Sequence, residues 1–308
     1  MLLSRAATKA FYSAYTVEQP VKDRLDGTFE LLRYGYIGNA REAVDNLKLS
    51  EPGVTRVDWL DNACARVEIY HRDSFETMNG VENVTVHGLA DPIHVRAPTD
   101  VMIVRSPGAK QVMIAFGGFS EAFWLPPPFL ELPNCHVVVL RDARRLFHLA
   151  GIEGLGSDYA ESVAGLKKLI EELDVSKVAL IGSSAGGYAA LRFALDLDVR
   201  GVLAISPVTQ INATDADLAR YPGLRPIART KPDMMLDLIP LYQEHPNPPK
   251  VIIVWGDKHP LDTEQATRMK ALPNVMLEPM RGFAGHPAWV KLLADQQLDP
   301  LLRRLLAS

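Results

Sequence analysis

Ser184 stands at the centre of Gly182-Ser183-Ser184-Ala185-Gly186, a G-x-S-x-G pattern. A serine hydroxyl is a weak nucleophile. It needs a base beside it, and the base needs an acid to orient it. Candidates for both follow in the chain. Gly256-Asp257-Lys258-His259-Pro260-Leu261-Asp262 offers two carboxylates, and Gly282-Phe283-Ala284-Gly285-His286 ends on an imidazole. The order is serine, acid, histidine, and the chemistry it would support is nucleophilic attack on a carbonyl group.

Such residues work only if the chain around them has the right shape. Residues 178–181 are a short apolar run between Lys177 and Gly182, as a buried parallel strand should be. Tyr188, Leu191 and Leu195 then recur at helical spacing. A serine on a sharp strand-to-helix turn projects above the sheet, and its neighbours must be small. The helix that follows points its first N–H groups at any oxyanion formed there. Asp257 and His286 fall just past two further predicted strands, 251–255 and 275–279, where open α/β sheets build their sites.

The rest of the chain alternates in the same way. Residues 1–65 read as mainly helical, with breaks expected at Gly35 and Gly38. Short runs rich in Val and Ile at 66–71, 84–87, 93–96 and 101–105 predict an antiparallel start to a sheet. Runs 112–116, 136–140 and 201–205 predict central strands. A helix is expected over 158–173, with Asp158 and Glu161 as a capping box. Another is expected over 263–272, and a last one over 287–306 with a break at Pro300. Eight of the 22 prolines lie in 207–249, which excludes long helices and inner strands there. That segment reads as a partial lid or as an ordinary surface excursion.

Composition narrows the class. The 308 residues are 47% hydrophobic and 23% charged, ordinary for a globular α/β chain. The net charge of −4 offers no basic field for nucleic acid. No apolar run reaches the roughly 20 residues that span a bilayer. Cys64 and Cys135 are the only cysteines, and a reducing, cytoplasmic setting is the simplest reading. Residues 1–16 suit an amphipathic helix that opens a domain, and their composition also suits a transit peptide. No H-E-x-x-H, paired C-x-x-C or calcium-loop pattern appears, so no metal or cofactor is implied.

The motif in its strand–turn–helix setting resembles the α/β-hydrolase superfamily, serine esterases and lipases in particular. The resemblance covers about residues 112–308. It implies an α/β-hydrolase fold, a doubly wound and mostly parallel sheet, with core 66–308, a helical N-terminal extension 1–65 and the lid-like insertion 207–249. It also implies Ser184 as nucleophile, His286 as base and an acid after strand 251–255. In relatives the acid is commonly followed three residues later by proline, which favours Asp257 with Pro260. Asp257 directly follows Gly256, where two intervening residues are usual, so Asp262 stays as the alternative. If Asp257 is the acid, Asp262 caps the next helix, with Gln265 completing a capping box. The expected oxyanion donors are the N–H of Ala185 and that of Gly118 or Phe119, although the histidine that many relatives carry at position 116 is Phe here. Phe123 and Trp124 either wall an acyl pocket or plug the sheet. The activity implied is hydrolysis of small-molecule carboxylic esters. Thioester, amide or acyl-transfer chemistry by the same residues, and a non-catalytic binding role, remain open.

Overall fold

A strand buried on both faces has no polar side to show, so the continuous apolar runs become the central strands. The computed structural model describes residues 4–70, 81–84, 93–96, 99–212 and 214–307. Among these, β1 (Val67–Ile69), β4 (Val101–Val104), β5 (Gln111–Phe116), β6 (Cys135–Leu140), β7 (Lys177–Ser183), β8 (Gly201–Ile205), β9 (Lys250–Gly256) and β10 (Val275–Met280) form one sheet. The order is β1-β4-β6-β5-β7-β8-β9-β10. β4 runs antiparallel to β1 and β6, and every other pairing is parallel. β2 (Val81–Val84) and β3 (Ile93–Arg96) pair separately as an antiparallel ribbon. Of the strands expected at 66–71 and 84–87, residues 71 and 85–87 lie outside the described residues.

Side chains alternate across the sheet into two cores. Along β5, Met113 and Ala115 enter one core, while Val112, Ile114 and Phe116 enter the other. The first core is closed by α1 (Arg5–Tyr15), α2 (Val21–Arg33), α3 (Ile37–Ser50), α4 (Thr55–Arg66) and α5 (Pro127–Glu131), and by the C-terminal α12 (Ala288–Ala294) and α13 (Leu298–Ala307). The N-terminal helices are therefore built into the core. Phe11, Leu31, Leu32, Leu47 and Leu60 are fully buried, each stabilising the fold by about 1.5–3 kcal/mol. The break in this helical region is at Gly35, with φ 82, and Gly38 lies inside α3.

The second core is covered by α6 (Tyr159–Glu172), α7 (Ala185–Phe193), α8 (Asp215–Arg220), α9 (Arg225–Thr230), α10 (Leu238–Glu244) and α11 (Pro260–Arg268). Asp158 caps α6 by accepting from Glu161 N–H, but the Glu161 carboxylate accepts from Ser157 N–H, so the reciprocal half of the box is displaced by one residue. The C-terminal helix breaks at Gln296, with φ 57, where the left-handed turn ends α12. Pro300 sits in the first turn of α13, where its missing N–H costs nothing. The proline-rich segment folds as short helices, pinned at its base by Gln210 bridging Asp237. Cys64 and Cys135 are buried free thiols, both pushed up to about 12 by burial. No described helix is long and apolar enough to cross a membrane.

Candidate active site

β7 ends at Ser183, and α7 starts at Ala185, so Ser184 alone makes the turn. Its φ of 56 and ψ of −120 lie where L-residues are strained, at a cost of about 1–3 kcal/mol. The turn is held by the Ser184 N–H donating to Ile205 O at 2.9 Å and by the Gly187 N–H donating to Ser184 O at 2.9 Å. The glycines are steric necessities. A Cβ at Gly182 would overlap Gly186 O, and one at Gly186 would overlap Phe116 O. A Cβ at Gly187 would lie 2.8 Å from Pro207 Cβ.

His286 arrives from the loop after β10. Ser184 Oγ donates to its Nε2 at 2.8 Å. Its Nδ1–H donates to the carboxylate of Asp262, 2.8 Å from Oδ1 and 3.0 Å from Oδ2. That hydrogen bond raises the imidazole above its ordinary 6.5, against burial, which lowers it. Asp262 is 2% exposed.

The structure brings Asp262, and not Asp257, to His286. Pro260 is the reason. Proline is preorganised for the first helical position and needs no N–H acceptor there, so α11 starts at residue 260. His259 becomes the N-cap, its Nδ1 accepting from the Asp262 N–H at 3.2 Å. Asp262 is then in the first turn, facing inward. The Asp257 carboxylate instead accepts from the Gly282 N–H at 2.7 Å and ties the two loops together. Gln265 makes no capping box with Asp262, because its side-chain oxygen accepts from the Thr209 and Gln210 N–H groups.

Two main-chain N–H groups lie next to the turn at the serine. Ala185 opens α7, and the first N–H of a helix has no acceptor within it. Gly118 passes against the turn, since a Cβ there would lie 3.3 Å from Ser183 O and 3.9 Å from Ser184 Cβ. The Gly117 N–H is already given to Leu140 O, whereas that of Gly118 meets no carbonyl among the described residues. Phe119 is 37% exposed, and its ring packs edge-on against Phe147 at 5.1 Å.

The Gly117–Gly118 peptide is held from behind. His148 Nε2–H donates to Gly117 O at 3.1 Å. C=O and N–H point in opposite directions across a trans peptide, so the Gly118 N–H points away from His148. His148 is 2% exposed, has φ 59 and packs edge-on against Phe116. The Asp142 carboxylate accepts from the Leu146 and His148 N–H groups and fixes the loop. Nothing local in the sequence marks His148, because its partner is 31 residues away.

Phe123 and Trp124 go into the core. Phe123 has no exposed surface and lies under the Arg141 guanidinium, and Trp124 packs edge-on against Phe129 and Trp289. Of the two expectations for them, pocket wall and plug, their burial fits the plug. Tyr221, from the proline-rich segment, reaches the site region instead, with its ring against Phe119 and Phe147. His259, Asp262 and His286 also stand close enough to hold a cation together.

Residues 84–308 match a model of the alpha/beta hydrolase family. The chain belongs to that family. Its fold is shared by the capsule O-acetyltransferase of Neisseria meningitidis serogroup A, which is 15% identical with a TM-score of 0.50 over 73% of this chain and 98% of that one. An esterase from Pyrobaculum calidifontis is 15% identical, covering 87% of this chain and 92% of that one, with a TM-score of 0.45. MenH from S. aureus is 14% identical, covering 68% and 98%, with a TM-score of 0.46. At these identities the likeness is one of fold. No curated protein matches this family member in sequence.

Proposed function

We propose that the protein is a serine hydrolase that cleaves carboxylic esters through an acyl-enzyme. The observation that carries this reading is the unbroken hydrogen-bonded chain from Asp262 through His286 to Ser184. His286 takes the proton of Ser184 Oγ as the oxygen attacks the ester carbonyl. Asp262 holds the imidazole in the tautomer that leaves Nε2 free to accept, and it stabilises the imidazolium that forms. The oxyanion is met by the N–H groups of Ala185 and Gly118, with that of Phe119 as a further donor. His286 then protonates the leaving alcohol, and a water molecule, activated by the same imidazole, releases the acid.

A fluorophosphonate probe tests the reading. Wild-type protein should be labelled, and Ser184→Ala should not. Folded wild type that stays unlabelled and turns over no ester would leave a binding role for the fold. Thioesters, amides and transfer to an alcohol would use the same groups. A panel of acyl esters, thioesters and anilides, with product analysis in added alcohol, separates these outcomes.

A further inference from the structure

Two imidazoles bracket one carboxylate oxygen. His259 Nδ1 lies 3.1 Å, and His286 Nδ1 2.8 Å, from Asp262 Oδ1. One donor atom from each of the three side chains lies within 4.8 Å of the others. The rings are 5.4 Å apart and inclined at 40°. The carboxylate side chain is 3% exposed, while those of His259 and His286 are 27% and 41% exposed, so the group is open to solvent on its imidazole side. Ester cleavage as proposed uses Asp262 and His286 and has no task for His259.

We propose that His259, Asp262 and His286 form a zinc site whose occupation reversibly switches the enzyme off. Two imidazole nitrogens and a carboxylate oxygen are a ligand set that zinc favours, with a fourth position left to water. Tetrahedral bonds of about 2.1 Å put neighbouring donors roughly 3.4 Å apart, near the two imidazole–carboxylate spacings of 3.1 and 2.8 Å, while the two imidazole donors lie within 4.8 Å of each other. The His259 lone pair that now accepts from the Asp262 N–H is the one the ion takes. Hard oxygen-seeking cations gain nothing from the imidazoles, so Mg²⁺ and Ca²⁺ are excluded.

Inactivation follows whichever nitrogen of His286 is bound. Zinc on Nε2 occupies the lone pair that must accept the Ser184 proton. Zinc on Nδ1 moves the ring proton to Nε2, which becomes a donor and can no longer act as base. In both cases Asp262 is drawn from the imidazole to the ion. Removing the ion lets the proton return from Nε2 to Nδ1 where it had moved, and no covalent bond other than that N–H is made or broken.

The loss of activity rests on the serine hydrolase reading, whereas the binding does not. Binding is therefore measured first on Ser184→Ala full-length protein, by calorimetric titration with Zn²⁺ and by the visible spectrum with Co²⁺. One tight site with tetrahedral cobalt absorption is expected. His259→Gln in that background should weaken zinc by at least about tenfold. Absence of binding, or equal affinity in the His259→Gln variant, overturns the site. Wild-type ester hydrolysis should then fall with Zn²⁺, recover with EDTA and ignore Mg²⁺. The zinc concentration for half-inhibition should rise at least about tenfold in His259→Gln, taken relative to that variant's own zinc-free rate. An unchanged value would mean that His259 only caps its helix. If ester hydrolysis is absent while Ser184→Ala still binds zinc, the hydrolase reading fails and the metal site stands.

Discussion

His148 Nε2–H donates to Gly117 O at 3.1 Å, and the peptide it grips is the one that carries the Gly118 N–H. A side chain behind the loop therefore sets the direction of a donor in front of it. Its effect should appear in the transition state and be nearly absent from substrate binding. His148→Ala should lower kcat by about tenfold to 10²-fold and leave KM nearly unchanged. Affinity for a boronate analogue of the tetrahedral intermediate should fall in step with kcat/KM. His148→Gln keeps a side-chain donor and should recover part of the loss. A variant that loses only thermal stability, with its boronate affinity intact, would reduce His148 to a packing role.

Asp262 and Asp257 have separable parts. Asp262→Asn removes the acceptor for His286 Nδ1–H and should cost up to about 10⁴-fold in kcat. Asp257→Asn weakens one link to the Gly282 N–H and should cost about 1 kcal/mol of stability with little change in rate. Single-turnover rates and denaturation midpoints for the two variants decide between them. The reverse pattern would return the acid to Asp257.

The pH profile follows from the same pair. His286 must be neutral to accept the Ser184 proton, so its protonated form is inactive. The Asp262 hydrogen bond favours the protonated form and raises the imidazole above 6.5. The kcat/KM value should therefore climb with pH through an apparent value above 6.5 and be lost as pH falls through it. In Asp262→Asn the residual activity should show this limb at lower pH. The measurement is made with a chelator present, so that no bound cation distorts it.

The turn at Ser184 stores strain for position. Ser184→Gly relieves a φ of 56 and should stabilise the fold by about 1 kcal/mol or more while abolishing turnover. Gly186→Ala forces a Cβ onto Phe116 O and should destabilise by about 3 kcal/mol or more. Urea unfolding of both variants measures the two signs directly.

The N-terminal helices bury one face of the sheet. Deleting residues 1–66 would uncover Met102, Val104 and Val137 and strip β1 of the helices that cover Val67. The truncated chain should aggregate on expression, and the whole chain should unfold in one transition. Two well-separated transitions would mark residues 1–65 as an independent unit.

What could be read without coordinates was local or set by topology. The turn at Ser184 was legible because its small residues sit within five positions, between an apolar strand run and a helical one. His286 was legible because a parallel sheet delivers the ends of successive strands to one edge. The alternation of strand and helix gave the layered sheet for the same reason. Choices between near neighbours were decided by contacts that pattern does not encode. Pro260 moved the start of α11 by three residues and so turned Asp262 inward, leaving Asp257 to hold a loop. Phe123 and Trp124 went into the core because the face they cover is completed by helices from both chain ends. His148 and His259 carried no signal at all. His148 acquires its partner, and His259 its neighbour His286, only when loops distant in sequence are packed together, and that is a property of the tertiary fold.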